Sequence, residues 1–156
     1  MGRVRVGLGW WVVSVVLVMG LASCASMREQ KAVAAGPSVY KQLGGREGIA
    51  IIVDDFAANV LADDRINARF KALQPAQVGK FKSNLADQIC DATGGPCAYL
   101  GKDMKTVHQG MKITEAEWNA TVEALVKALD KNNVPAGAKT ALLAALAPMK
   151  PDIVGQ

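Results

Sequence analysis

An all-α domain is the fold class this sequence predicts, and three observations predict it. Apolar residues recur at helical spacing in several separate segments, which places them on one face of each. Those segments are bounded by helix punctuation: a proline suited to a first turn, a capping pair, and glycines where the apolar stripe stops. Outside the N-terminal segment no alternating β-branched run marks a strand, and no internal repeat is present.

The elements follow in chain order. "YKQLGG" at 40–45 ends in two glycines, read as a tight turn, because glycine adopts positive φ without steric cost. Ile49, Ile52, Val53, Phe56 and Val60 then share one helical face, with Asp54, Asp55 and Asn59 outside it. A second helix begins near Pro75, whose missing N–H has no partner to lose in a first turn. Its stripe is Val78, Phe81, Leu85 and Ile89, with Lys80, Lys82, Asn84 and Asp87 largely outside, and it stops at "TGGP", 93–96.

A short helix is expected from Asp103, an N-cap whose side chain accepts backbone N–H bonds, through His108 to Gly110. "TEAE" at 114–117 reads as a capping box opening a helix with the stripe Trp118, Val122, Leu125, Val126 and Leu129, ending near "NNVP". A last helix from about Ala136 presents Leu142, Leu143 and Leu146, and Pro148 and Pro151 close it.

The N-terminus belongs to none of these. After Arg3 and Arg5 runs an uncharged apolar stretch, Val6 to Ala22, followed by small residues, the layout of a secretory signal. "LASC" at 21–24 resembles a bacterial lipobox, which implies that residues 1–23 are removed and Cys24 carries lipid; an uncleaved membrane anchor is the alternative. Residues 24–38 read as a tether and residues 39–154 as the domain. Acyl chains on Cys24 hold a protein to a membrane surface without a spanning helix. Because alanine rather than aspartate follows Cys24, the expected location is the periplasmic face of an outer membrane.

Arg3 and Arg5 account for two of the 18 basic residues, so the exported part carries 16 against 14 acidic ones. A surplus of about two charges gives no argument for nucleic acid. Cys90 and Cys97 remain, either as a disulfide across a short loop or as two buried thiols.

His108 is the sole histidine of the chain. Zinc sites of the familiar kinds need three or four ligands in paired spacings, and Cys90, Cys97 and His108 show none. No nucleophile elbow or phosphate-cradling loop is present. One imidazole does suffice for a haem iron, because the porphyrin already supplies four nitrogens. The rest of such a site is an apolar slot between helices. Phe56, Phe81, Leu85, Val107, Met111, Ile113, Trp118 and Val122 can line one, although each also reads as ordinary helix core.

The ordered set "YKQLGG", "GIAIIVDDF", "VLADDRI", "TGGPCAYLGKDM" and "VHQGMKIT", followed by helices ending in "VP" and "APMKPDIV", resembles the group I truncated haemoglobins over about residues 39–154. The resemblance implies a two-over-two helical sandwich binding haem b, with His108 as the iron ligand and Met104 added to the residues around the cofactor. It also implies O2, NO or CO as ligand. Many members carry a tyrosine directly after the Phe of "DDF" and a glutamine on the distal helix; here Ala57 and Leu85 stand in those places, with Phe81 one turn before.

All three are apolar, and a hydrogen bond to bound oxygen contributes on the order of 1 to 3 kcal/mol. Oxygen is therefore expected to bind one or two powers of ten more weakly than with a donor present, and CO to be affected less. Ser83, Asn84 and Gln88 are the polar side chains near enough in sequence to substitute. Lys82 is expected either at a haem propionate or, like a methionine, at the sixth iron position.

These features lead to a lipid-anchored truncated haemoglobin-like protein serving sensing, NO or redox chemistry, or ligand delivery. Electrons are expected from an unidentified donor, since no flavin or nicotinamide site is present. The alternatives are a haem-free interaction module on the same scaffold, and an enzyme such as an NO dioxygenase or peroxidase.

Overall fold

The computed structural model describes residues 37–156. The signal segment, the Cys24 lipid site and the tether as far as residue 36 lie outside the described residues. Within them the protein is all-α, as expected: α1 (Val39–Gln42), α2 (Gly45–Ala62), α3 (Ala68–Lys71), α4 (Pro75–Ala92), α5 (Met104–His108), α6 (Glu115–Lys131), α7 (Ala136–Leu146) and a 3-10 helix, Ala147–Asp152. Among the described residues, β-structure amounts to one isolated parallel bridge, Ile113 to Val154.

Ser38 caps α1 by accepting the Lys41 N–H at 3.4 Å. Gly44 and Gly45 follow with φ of +85° and +69°, so the turn between α1 and α2 needs glycine at both positions. Gly48 is needed for space: a Cβ there would stand 2.1 Å from the Leu43 carbonyl oxygen. These close passages fold α1 back on the start of α2.

α2 is the centre of the domain, packed on α4 and on α6. Ile49, Ile52, Val53, Phe56 and Val60 are buried, the face the periodicity predicts. The partner surface on α6 is less expected. Ala120, Ala124 and Ala128 are its most deeply buried residues with Leu125 and Leu129, whereas Trp118, Val122 and Val126 are half-buried. Alanines spaced one helical turn apart let the two backbones approach, and Asn59 Nδ2 donates to the Ala124 carbonyl at 3.0 Å across the seam.

One helix end differs from expectation. α5 stops at His108 and not at Gly110, which has φ +79° and carries the chain out of the turn. The last α-helix ends at Leu146, just before Pro148, as expected, and both prolines lie in the 3-10 segment that follows it. Pro148 falls in the first turn of that segment, where it gives up no bond.

Candidate cofactor site

The capping predicted for α5 is present: Asp103 accepts the Thr106 N–H at 2.9 Å and the Thr106 hydroxyl at 2.7 Å. The Thr106 side chain and backbone hold the Asp103 carboxyl below its ordinary range. Upstream, the Tyr99 hydroxyl donates to the Lys102 carbonyl at 2.7 Å, and burial pushes the Tyr99 pKa up. The approach to α5 is thus fixed by local bonds before any long-range packing is counted.

His108 ends this helix half-buried, with Nδ1 2.7 Å from the Met104 carbonyl oxygen. A carbonyl only accepts, so Nδ1 carries a proton, and in the neutral tautomer this leaves the lone pair on Nε2. Nε2 has no hydrogen-bond partner among the described residues. An imidazole with one nitrogen anchored to a carbonyl and the other without a partner has the arrangement that suits a metal ligand. No three His, Cys, Asp or Glu side chains converge on a common point among the described residues, so a metal here would need most of its ligands from outside the protein.

Large apolar side chains surround this imidazole in sequence and are exposed. Val107 is 39% and Met111 43% exposed, and Leu100 is 91% exposed. Among the described residues, three of the five exposed large apolar side chains therefore fall between 100 and 111, the kind of concentration found at binding surfaces. Met104, Ile113, Trp118 and Val122 are half-buried.

The other expected lining residues stand on α2 and α4. Phe56 and Ala57 are buried, and Phe81 and Leu85 pack on the core beside them. The Phe56 and Phe81 rings lie 6.4 Å apart, and Phe70, from α3, meets Phe81 edge-on at 5.4 Å. Phe81 and Leu85 thus join Phe56 on the apolar core, Ala57 is buried next in sequence, and none of the residues at 57, 81 and 85 carries a hydrogen-bond donor. Of the candidate substitutes, Ser83 is exposed and Asn84 half-buried. Gln88 is half-buried and committed elsewhere, donating through Nε2 to Met104 Sδ at 3.4 Å. That bond ties α4 to α5.

Lys82 forms an ion pair with Asp54 at 3.0 Å. It is therefore not free for a propionate or an iron without giving up that partner.

Cys90 and Cys97 form a disulfide, which decides between the two alternatives the spacing left open. It pins the end of α4 to the loop leading toward α5. Gly95, inside that loop, has no room for a side chain: a Cβ would meet Cys90 Sγ at 2.5 Å and the Tyr40 ring at 2.6 Å. Arg46 reaches the same place, donating to Cys97 Sγ and to Asp87, each at 2.9 Å.

Sequence reasoning missed the residues that hold the segment after His108. Arg69 donates to the Met111 carbonyl at 2.8 Å and to Glu117 at 2.7 Å. Ile113 accepts the Gly155 N–H at 2.9 Å, and the Lys112 N–H, at φ +50°, is taken by the Gln156 carbonyl. Neither contact has a sequence signal, since the partners lie some forty residues apart. A separate concavity of about 350 Å³ lies against Asn59, Ala62, Asp63, Asp64, Ala124 and Lys127. Its polar lining contains none of the expected site residues.

A bacterial-like globin family model matches residues 38–154. The chain is 33% identical over 116 residues to the group 1 truncated hemoglobin GlbN of Mycolicibacterium paratuberculosis, covering 74% of this chain and 83% of that one. It is 32% identical to the group 1 truncated hemoglobin of Tetrahymena thermophila, covering 63% and 78%. Among solved structures, the Fe(III) form of truncated hemoglobin from Tetrahymena pyriformis aligns with a TM-score of 0.71 at 26% identity, over 77% of this chain and all of that one. The 2/2 hemoglobin of Synechococcus sp. PCC 7002, described with covalently attached heme, aligns at 0.69 and 27% identity, over 76% and 98%.

Proposed function

We propose that this chain, which belongs to the bacterial-like globin family and has the two-over-two truncated globin fold, binds haem b through His108 and takes up a diatomic ligand, O2, NO or CO. Haem supplies an iron that binds such ligands and exchanges single electrons. The chain's residues fit it on the chemistry of the donor set: one half-buried imidazole with Nδ1 spent on the Met104 carbonyl and Nε2 unpartnered, beside exposed Val107 and Met111. That arrangement is the single observation that carries the reading.

The remaining roles follow from the side chains. The Met104 carbonyl sets the tautomer and turns the ring so that Nε2 is the ligating atom. Val107, Met111, Ile113, Trp118 and Val122 exclude water on the His108 side, and Phe56, Ala57, Phe81 and Leu85 form an apolar wall on the other. That wall holds a diatomic ligand by shape and offers it no hydrogen bond. Electrons for any NO or redox chemistry come from a separate reductant.

Export and lipid attachment at Cys24 place this chemistry at a bacterial membrane surface. "LASC" supports the anchor, and the Cys90–Cys97 disulfide supports an oxidising compartment. Loss of membrane association in Cys24→Ala cells is the expected outcome; an equally membrane-bound variant overturns the lipid anchor.

Absorption spectra of the purified chain with added haem test the central reading. A Soret band is expected in the ferric, ferrous and CO-bound states, and His108→Ala should lose most of its affinity, with imidazole in solution restoring part of it. An unchanged Soret band in His108→Ala would overturn ligation, and a colourless wild-type protein would favour the haem-free interaction module.

A further inference from the structure

α5 is five residues long, and a helix of about one turn has too few internal bonds to hold its own place. The direction of the His108 ring is therefore set by what grips α5 from outside. Asp103 and Tyr99 secure its start, and Arg69 secures the chain beyond it. The 3-10 segment packs on α5, and Gln88, from α4, hydrogen-bonds a side chain of α5 itself.

Its amide nitrogen donates to Met104 Sδ at 3.4 Å and to Met149 Sδ, in the 3-10 segment, at 3.2 Å. Thioether sulfur accepts and does not donate, so the –NH2 side of the amide must face both methionines. One amide thus joins three elements from distant parts of the chain. Met104 is also the residue whose carbonyl holds His108 Nδ1.

We propose that Gln88 is a positioning residue for His108, acting through Met104: it fixes the residue whose carbonyl fixes Nδ1, and so sets where Nε2 points. Its bearing on iron rests on the reading of His108 as the haem ligand; its bearing on the imidazole does not. Each N–H···S bond is weak, yet the two share one donor group, and moving Met104 moves the carbonyl with it.

Gln88→Leu removes the donor at similar size, Gln88→Glu removes it at the same shape, and Met104→Leu removes the sulfur while keeping the carbonyl. Two measurements read the ring: the iron–histidine stretching band of the ferrous, haem-loaded protein by resonance Raman, and hydrogen exchange of His108 Nδ1–H by nitrogen-15 NMR in the haem-free protein. All three variants should displace the band and speed exchange roughly five- to tenfold, with thermal midpoints near wild type. The double variant Gln88→Leu/Met104→Leu should be no worse than either single one, because both break the same link.

A wild-type band and wild-type exchange in Gln88→Leu and Gln88→Glu would overturn the proposal, as would full additivity in the double variant. A wild-type chain that takes up no haem would overturn the functional reading alone, and Nδ1–H exchange would still decide the role of Gln88.

Discussion

A hydrogen-bond donor is what positions 57, 81 and 85 lack, and the surroundings make the lack consequential. Ala57 is buried and Leu85 half-buried on the core, so water does not readily replace a missing side-chain donor. Leu85→Gln supplies an amide at similar length. It is expected to slow oxygen dissociation by about one to two powers of ten and CO dissociation by less, read by stopped-flow mixing. Unchanged oxygen dissociation would show that residue 85 does not face the ligand. His108 was legible as a candidate because it is the chain's one imidazole, whereas its tautomer depended on a carbonyl four residues earlier. Lys82 shows the opposite limit: a lysine in sequence looks free, and only folding brings it within 3.0 Å of Asp54.

Helix starts were the most legible features of the elements. Thr114 and Glu117 form the expected capping box, with the Glu117 N–H donating to Thr114 Oγ1 at 3.2 Å and the Thr114 N–H donating to Glu117 at 2.8 Å. Such signals are local, so three or four residues contain all the chemistry they need. The buried face of α6 was less legible, because alanine carries little hydrophobic weight in a periodicity count yet suits a close helix seam. The disulfide lay between these cases: a separation of seven residues permits the bond but does not require it. A loop this short still limits the unfolded chain, so Cys90→Ala/Cys97→Ala should lower unfolding free energy by about 2–3 kcal/mol in urea titrations. A loss near zero would mean that the packing of Gly95 and Tyr40 fixes the loop without the bond.

Across the whole molecule, Arg69 links α3, the chain after His108 and the first turn of α6. The Arg69 guanidinium, followed by the Thr114 backbone N–H, holds the Glu117 carboxyl down to about 2 from its ordinary 4.5, against the opposing effect of burial. A carboxyl with a lowered folded-state pKa contributes stability that is complete above the unfolded value and is lost as pH falls through the folded one. Arg69→Ala should therefore lower the melting temperature at pH 7 and flatten its dependence on pH between about 4.5 and 2, followed by circular dichroism. A parallel shift at every pH would remove Glu117 from the account. By itself, the sequence determined the helical class, the helix starts and the candidate imidazole, because periodicity, capping and the rarity of histidine are each readable within a few residues. The tertiary structure alone decided which sulfurs pair, which amide grips α5, and which arginine and C-terminal residues hold the chain beyond His108. The disulfide spans seven residues, a spacing that permits the bond without requiring it; the other contacts join positions sixteen or more residues apart, and the reach of a flexible side chain leaves no periodic trace in the sequence.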